Sequence, residues 1–394
     1  MAIDNKNKVL NVPHLRFPEF SGEWKNTSLG KIGKTFNGLT GKSGADFGRG
    51  FPYITYKSIF DDSKIDISRV EYVEITDVER KKETQNEVQY GDVFFTTSSE
   101  TPDEVGMSSV LLDEIKDCYL NSFCFGYRLN SLSKTIPDYM RFYLRSQTIR
   151  KKMFVLAQGS TRFNISKSEV MGISINIPET KEQRKIANLL TLLDERIATQ
   201  NKIIEDLKKL KSAIYQNLFF HLQGDKVPLS ELAEIIKGQQ INGSELSENG
   251  KYYVMNGGIT PSGYYDNYNT EADTISISEG GNSCGYVQYN SSDFWSGGHC
   301  YTLRIKPTAL ISTPFLFHFL KWKEPDIMAL RSGSGLPNIQ KKDLSKVCII
   351  VPTLDEQQQL IALLSTFQMK IENEEIFTSN LNKQKQHLLS QMFI

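Results

Sequence analysis

The sequence lacks several features that would have placed it in a common class. Its 394 residues contain no uninterrupted apolar run of the ~18–20 residues that a membrane-spanning helix needs. The first residues lack the apolar core of a signal peptide. The five cysteines include no Cys-x-x-Cys pair, which argues against a thiolate zinc site and favours a reducing compartment. We therefore expect a cytoplasmic protein with no membrane partner.

The sequence also has no excess of charge, since 46 basic residues balance 46 acidic ones. A strongly basic composition would have indicated a nucleic acid as the partner, and that signal is missing. Hydrophobic residues make up 39% of the chain and aromatic residues 11%, which is enough for packed cores. At roughly 100–200 residues per domain, the length predicts two or three domains.

Signatures of catalysis are equally scarce. Residues 40–43 imitate the end of a phosphate-binding loop, but Phe36 occupies the place of its first glycine. No aminomethyltransferase signature is present, and no two histidines have metal-ligand spacing. One degenerate pattern would allow a Mg²⁺-dependent nuclease that uses Asp103, Glu114 and Lys116, although the second half of the chain has no equivalent set. We expect a binding protein rather than an enzyme, with no cofactor or metal of its own.

The chain contains an internal repeat. At an offset of 174, residues 159–219 align with residues 333–393 without a gap and with 16 identities in 61 positions. Further upstream the offset drifts to 176, where Cys124 aligns with Cys300, and then to 200, where Leu29 aligns with Leu229. The sequence therefore predicts two copies of one structural unit that differ in their central segments. We expect the two copies to have the same kind of function.

Each copy ends in a predicted long helix. Beyond Pro178 and Pro352, apolar residues recur at alternating spacings of four and three, which is typical of a coiled-coil seam. Polar residues interrupt both seams at equivalent places, Gln200 with Glu374 and Lys211 with Lys385. A coiled-coil seam must pack against a partner helix, and the long helix of the other copy is the expected partner. The alternative is that the two are unrelated surface helices. The predicted seam residues are Ile186, Leu190, Leu193, Ile197, Ile204, Leu207, Ile214, Leu218, Leu360, Leu364, Phe367, Ile371, Leu381 and Leu388.

The remainder of each copy has short strand-like runs and dense turn signals. We predict an α+β fold with two tandem mixed α/β domains, each followed by a long helix, and the two helices packed as an antiparallel coiled coil. The predicted bounds are 13–178 for the first domain, 179–222 for the central helix, 223–352 for the second domain and 353–394 for the C-terminal helix.

Polar segments at repeated positions are the candidate binding residues. Each copy has a Gly-Ser turn followed by Asn-Ile and a lysine, which suits phosphate contact, and each has a Ser-Glu pair at a strand end, which suits contact with base edges. A structural turn is the alternative at each place. The basic stretch 141–152 is a further candidate, although charged helical faces are usually only solvated. The candidate DNA-binding residues are Thr40, Lys42, Lys57, Thr97, Ser98, Ser99, Arg162, Asn164, Lys167, Gln239, Asn256, Ser278, Glu279, Asn282, Ser334, Asn338 and Lys341.

The chain resembles the specificity subunits of type I restriction-modification enzymes. The resemblance covers nearly the whole chain and depends on residues 12–24, on Leu29–Ile32, and on Pro178 and Pro352, each of which leads through Glu-Gln into its helix. Residues 252–259 and 285–287 of the second copy are also similar to the family. One departure is Leu336, which stands opposite Arg162 and puts equal phosphate contact in the two halves in doubt.

The resemblance implies a non-catalytic subunit with two target-recognition domains, each of which reads half of a gapped, bipartite site in double-stranded DNA. It also implies that the helices bind two methylation subunits and that restriction subunits join through these. S-adenosylmethionine, ATP and Mg²⁺ would then act on the partner chains. Because the middles of the copies differ, we expect an asymmetric target. Besides the nuclease, a coiled-coil protein scaffold without DNA binding stays open as an alternative.

Overall fold

A computed structural model describes residues 11–83, 86–333 and 337–394 of the chain. These residues form two compact units. The first unit runs to Gln200 and includes Phe377–Ile394, and the second unit is Asn201–Ile376. The division between the units therefore passes through both long helices, whereas the predicted domain bounds follow the helix ends.

The first unit combines short strands with helices. Its strands are β1 (Lys25–Ser28), β2 (Gly33–Asn37), β3 (Phe47–Ile54), β4 (Glu71–Val73), β5 (Val93–Thr96), β6 (Ser98–Ser99), β7 (Ser108–Val110), β8 (Tyr119–Leu120), β9 (Cys124–Leu129), β10 (Phe163–Asn164) and β11 (Ser174–Ile177). Its helices are α1 (Leu29–Ile32), α2 (Tyr56–Asp61), α3 (Asp77–Glu83), α4 (Pro137–Tyr143), α5 (Gln147–Leu156), α6 (Lys167–Gly172) and the first half of α7 (Thr180–Phe220).

The second unit is built in the same way. Its strands are β12 (Asp225–Pro228), β13 (Ala233–Lys237), β14 (Tyr252–Met255), β15 (Tyr264–Tyr265), β16 (Thr274–Ser278), β17 (Val287–Asn290), β18 (Trp295–Ser296), β19 (Cys300–Ile305) and β20 (Cys348–Val351). Its helices are α8 (Leu229–Leu232), α9 (Thr313–Trp322), α10 (Glu324–Ala329), α11 (Lys341–Leu344) and the first part of α12 (Leu354–Gln391).

The two units share their strand order. A four-stranded antiparallel sheet has the order β2-β9-β5-β7 in the first unit and β13-β19-β16-β17 in the second. A smaller sheet has the order β4-β3-β8 in one unit and β15-β14-β18 in the other, with one parallel pair in each. The register agrees as well, because Cys124 lies opposite Thr96 and Cys300 lies opposite Ser278. The predicted internal repeat and the tandem mixed α/β architecture are confirmed.

A glutamine that both copies of the repeat carry in the first turn of the long helix anchors that helix to its own unit. The side chain of Gln183 accepts a hydrogen bond from the Ile136 amide at 2.9 Å and donates one to the Pro178 carbonyl at 3.0 Å. Gln357 makes the same pair of bonds, with the Ser312 amide at 2.9 Å and the Pro352 carbonyl at 3.0 Å. A buried amide that satisfies two backbone groups fixes the direction in which the helix leaves the sheet.

A phenylalanine at the end of α7, and another just beyond the end of α12, enter hydrophobic cores. In the second unit, Phe219 of α7 is fully buried and stacks on Trp322, with ring centroids 5.5 Å apart. In the first unit, the equivalent Phe393 lies edge-on to Tyr139 at 5.7 Å. Burial of an aromatic ring of this size stabilises the contact by about 2–3 kcal/mol relative to an exposed ring.

The long helices run antiparallel within each unit. In the first unit, Asp194 of α7 forms an ion pair with Lys385 of α12 at 2.5 Å. In the second unit, Lys208 pairs with Glu375 at 2.6 Å and Lys211 donates a hydrogen bond to Gln368 at 2.5 Å, so residue numbers rise along α7 as they fall along α12. All the predicted seam side chains are buried or half-buried. The antiparallel helix pair is confirmed. No helix in the described ranges is both long and apolar enough to cross a membrane.

Candidate nucleic-acid interface

Two polar segments of the first unit, about 65 residues apart in sequence, meet at the edge of its central sheet. Strand β6 (Ser98–Ser99) pairs antiparallel with β10 (Phe163–Asn164), which follows the Gly-Ser turn. The Ile165 amide also donates to the Thr97 carbonyl at 2.9 Å. The strand end and the Gly-Ser turn, which the sequence presents as separate candidates, therefore form one surface.

The same two segments meet in the second unit. Gly280 forms an antiparallel bridge with Asn338, and the Ile339 amide donates to the Glu279 carbonyl at 2.8 Å. The Gly281 amide donates to the Pro337 carbonyl at 3.0 Å. The repeat thus extends from the sheets to the loops that carry the candidate residues.

Backbone hydrogen bonds show which residues of the two loops are equivalent. The Thr97 amide donates to the Phe123 carbonyl at 3.0 Å, and the Glu279 amide donates to the His299 carbonyl at 2.9 Å. The Thr97 carbonyl also accepts from the Ile165 amide, and the Glu279 carbonyl accepts from the Ile339 amide. Thr97 is therefore the counterpart of Glu279. The Ser-Glu sequences at 99–100 and 278–279 therefore do not occupy equivalent positions, since the strand register and not the local sequence sets the position.

In the second unit a buried carboxylate lies at this position. Oε1 of Glu279 accepts hydrogen bonds from Nζ of Lys237 at 2.8 Å and from the hydroxyl of Tyr301 at 2.9 Å. Oε2 lies 3.9 Å from Nδ1 of His299, and the Glu279 side chain is 11% exposed. Burial, followed by the hydrogen bond to Glu279, raises the pKa of Tyr301, so this phenol stays protonated and remains a donor.

In the first unit the equivalent positions carry uncharged side chains. The Thr97 hydroxyl donates to the Phe123 carbonyl at 2.7 Å. Asn37, which takes the strand position of Lys237, accepts a hydrogen bond from Lys167. The Lys167 ammonium lies 5.9 Å from the centre of the Phe125 ring, and burial lowers its pKa. At these equivalent positions the two units therefore have the same backbone arrangement but different side chains.

Several predicted residues support these loops from below. Ser98, Ser99 and Ser278 are buried, and Oγ of Ser278 donates to the Gly257 carbonyl at 2.6 Å. Asn256 accepts from the His299 amide at 3.1 Å, and Asn338 accepts from the side chain of Gln340 at 2.9 Å.

The remaining predicted residues lie mostly at the surface. Lys42 is the exception, because its largely buried ammonium pairs with Glu79 at 2.7 Å and this contact lowers the Glu79 pKa to about 2. Ser334 lies outside the described residues. The exposed candidates are Thr40, Lys57, Arg162, Asn164, Gln239, Asn282 and Lys341, while Thr97 and Lys167 are half-exposed.

The basic stretch 141–152 contributes less to the surface than its composition indicates. Arg145 donates to the carbonyls of Ser108 at 2.6 Å and Ile59 at 2.7 Å, and Arg150 donates to those of Val105 at 2.7 Å and Gly106 at 2.8 Å. Burial lowers the Arg145 pKa to about 10. These two arginines hold loops of their own unit, so they are not surface cations for a nucleic acid.

The residues of the possible nuclease pattern show no shared site. Asp103, Glu114 and Lys116 are exposed, and the Asp103 carbonyl accepts from Arg150 at 2.6 Å. Within the described ranges, no group of three or more His, Cys, Asp or Glu side chains could hold a metal ion.

Sequence reasoning missed four members of the site, namely Lys237, Tyr301, Phe123 and His299. The last two precede Cys124 and Cys300, which the offset of 176 aligns, so that alignment contained the signal that could have identified them. Lys237 and Tyr301 are direct cross-strand partners on β13 and β19, a relation that only the sheet register reveals.

The chain has the architecture of a tandem-repeat recognition protein. Its two units share one fold, their polar loops have the same backbone arrangement but different side chains, and an antiparallel helix pair runs through both units. Residues 21–209 and 224–381 match the family model of the type I restriction modification DNA specificity domain. The chain therefore belongs to the family of type I restriction-modification specificity subunits.

Individual relatives agree with this assignment. The chain is 25% identical over 418 aligned positions to a protein assigned as a type I restriction enzyme specificity subunit of Methanocaldococcus jannaschii, covering 97% of this chain and 96% of that protein. It is 36% identical over 149 residues to one assigned as a type I specificity subunit of Mycoplasma pneumoniae, covering 38% of this chain and 40% of that protein.

Solved structures show the same fold. A type I restriction-modification S subunit from Mycoplasma genitalium superimposes with a TM-score of 0.62 at 19% identity, over 97% of this chain and 99% of that one. A chain from a study of complex assembly and conformational transition in a type I restriction-modification system gives 0.59 at 20% identity, over 94% and 97%.

Proposed function

We propose that this specificity subunit reads a gapped, asymmetric, bipartite site in double-stranded DNA, one half with each unit. The observation that carries this proposal is the site at Thr97 and Glu279, where two units with matching backbone hydrogen bonds present different side chains. The shared backbone arrangement favours the same mode of binding to both half-sites. The different side chains favour different bases in the two half-sites.

The helix pair is the proposed binding surface for two methylation subunits, through which restriction subunits join. Besides the seam, α7 and α12 carry large apolar side chains that are exposed in the isolated chain, including Leu192 at 61%, Met369 at 56% and Ile376 at 60%. Exposed apolar residues on long helices favour partner helices. One of the similar structures comes from a study of complex assembly, which supports this proposal.

The chemistry of methylation and cleavage belongs, in this proposal, to the partner chains. S-adenosylmethionine, ATP and Mg²⁺ would bind there, since this sequence carries neither an aminomethyltransferase signature nor a complete phosphate-binding loop. The contribution of this chain is to place the enzyme on its target.

The test is to assemble the full chain with its methylation subunits and to map the adenines that the complex methylates in DNA of known sequence. We expect two short specified segments that differ from each other, separated by a gap of fixed length. A single continuous palindromic target would contradict the proposal. Methylation without sequence preference would contradict it as well.

A further inference from the structure

A comparison of the two units singles out one pair of positions for base reading. In each unit the residue after the buried sheet strand donates its backbone amide to a carbonyl just before the cysteine that the two copies share. The donor and acceptor are Thr97 and Phe123 in the first unit, and Glu279 and His299 in the second. The donor residue also accepts from the amide of the isoleucine behind the Gly-Ser turn. Three chain segments thus hold each pair in the same arrangement, although the side chains share no chemistry.

The second member of each pair is open to solvent. The Phe123 side chain is 60% exposed, which is unusual for a phenylalanine, and the His299 side chain is 63% exposed. Beside them Thr97 is half-exposed and the Glu279 side chain is 11% exposed. Each pair therefore consists of a recessed residue and an exposed one beside it.

In the second unit the carboxylate is held through one oxygen, and among the described residues none is within hydrogen-bond distance of the other oxygen. Lys237 and Tyr301 both donate to Oε1, so they orient the group and offset its burial, while Oε2 lies beyond hydrogen-bond distance of His299. An oriented carboxylate oxygen accepts a hydrogen bond from an exocyclic amino group, which in the major groove is N4 of cytosine or N6 of adenine.

In the first unit the pair is apolar at its outer side. The Thr97 hydroxyl uses its proton on the Phe123 carbonyl, so the threonine methyl group and the phenylalanine ring are what remain for contact. Side chains of this kind contact the C5-methyl group of thymine in the major groove. A carboxylate at the same place would be repelled by neighbouring phosphates unless it had partners such as Lys237 and Tyr301, and Asn37 and Phe125 take their places here.

We propose that these pairs read one base in each half-site by different chemistry: Glu279 with His299 selects a base that carries an exocyclic amino group, and Thr97 with Phe123 selects thymine through its methyl group. This inference rests on the proposed function. It adds which residues distinguish the two halves and which group of the base each pair recognises.

The test compares variants of the full chain, each assembled with its methylation subunits, by selection of bound duplexes from a randomised DNA library. Glu279→Gln keeps the shape of the side chain and the hydrogen bond from Tyr301 but adds an amide donor. It should reduce the preference at one cytosine or adenine position by about ten-fold and leave the other half-site unchanged. Phe123→Ala should do the same at one thymine of the other half-site. Replacing that thymine by uracil should weaken binding of the wild-type complex and not of the Phe123→Ala complex.

The matched control is Glu234→Gln, which removes the same charge from the same unit at an exposed carboxylate that faces Arg304 at 3.5 Å. It should leave every position unchanged. If Glu279→Gln fails to assemble, Glu279→Asp keeps the charge but withdraws the carboxylate by one methylene, and it should weaken the same position.

The outcomes separate the two proposals. The wild-type complex could select a bipartite site, and the variants Glu279→Gln, Glu279→Asp and Phe123→Ala could select the same bases. That result would overturn the inference about the two residue pairs and leave the proposed function in place. A wild-type complex that selects no bipartite site would overturn the proposed function itself. Loss of preference at both half-sites in a single variant would also overturn the inference, because it would show a structural role for the residue.

Discussion

The ion pair across the helices of the first unit allows a quantitative test of what holds them together. Asp194 of α7 contacts both Lys385 of α12 and Arg141 of α4, and the three side chains are only 19%, 24% and 10% exposed. In Asp194→Asn, Arg141 keeps Asp138 at 3.4 Å, but both cations lose their shared carboxylate. Breaking a fully buried pair costs about 3–5 kcal/mol, and partial exposure with the remaining Asp138 reduces the expected loss to about 2 kcal/mol.

Hydrogen exchange measured by mass spectrometry is the appropriate assay, since it reports the opening of each helix segment separately. A loss of about 2 kcal/mol corresponds to roughly thirty-fold faster exchange in the segments 186–197 and 381–392. The control is Glu375→Gln, which breaks an ion pair on the same two helices whose partners, Lys208 and Glu375, are 57% and 46% exposed. It should cost about 0.5 kcal/mol or less. Equal effects of the two substitutions, or none from Asp194→Asn, would refute the argument that burial sets the strength of these pairs.

Two further predictions concern His318 of α9 in the second unit and the lysines of the helix pair. Burial, followed by the charge of Lys211, lowers the His318 pKa to about 4, so the folded second unit binds fewer protons than the unfolded chain between pH 4 and 6.5. The free energy of unfolding should fall by on the order of 3 kcal/mol as the pH drops through that window. The variant His318→Phe introduces the residue found at the equivalent position of the first unit, Phe142, and its free energy of unfolding in urea should depend less on pH. An unchanged pH dependence would contradict the role given to His318. Lys211→Glu or Lys385→Glu should lower the fraction of assembled complex, measured by its mass, before it alters the recognised sequence; a normal mass with altered specificity would count against this.

The long helices and the repeat could be predicted from the sequence because their signals are local or additive. Seam residues recur every three or four positions, and the aligned halves share residues such as Gln183 and Gln357, whose paired backbone contacts explain why both copies need an amide there. Those features depend on chain spacing alone. The helix bounds Thr180–Phe220 and Leu354–Gln391 lie within a few residues of the expected ones.

The candidate site was less predictable because cross-strand register creates it. The Ser-Glu pairs at 99–100 and 278–279 look equivalent. The strand register nevertheless makes Thr97 and not Glu100 the counterpart of Glu279, because the offset between the copies changes from 176 on β9 and β19 to 182 on β5 and β16. Lys237 meets Glu279 only because β13 and β16 flank the same strand. No spacing rule within the sequence connects residues 42 positions apart in this way.

The neutral composition acquires a structural meaning from the arginines of the first unit. Arg141, Arg145 and Arg150 made that half look suited to a phosphate backbone, but carboxylates or carbonyls of the same unit accept their hydrogen bonds. Arginine serves this purpose well because one planar group can satisfy several carbonyls of an irregular loop at once. Fewer cations are therefore available at the surface than the composition indicates, and the sequence-independent part of DNA affinity depends on surface cations. We accordingly expect the isolated chain to bind DNA weakly; in the proposed assembly, most of the electrostatic attraction would come from the partner subunits.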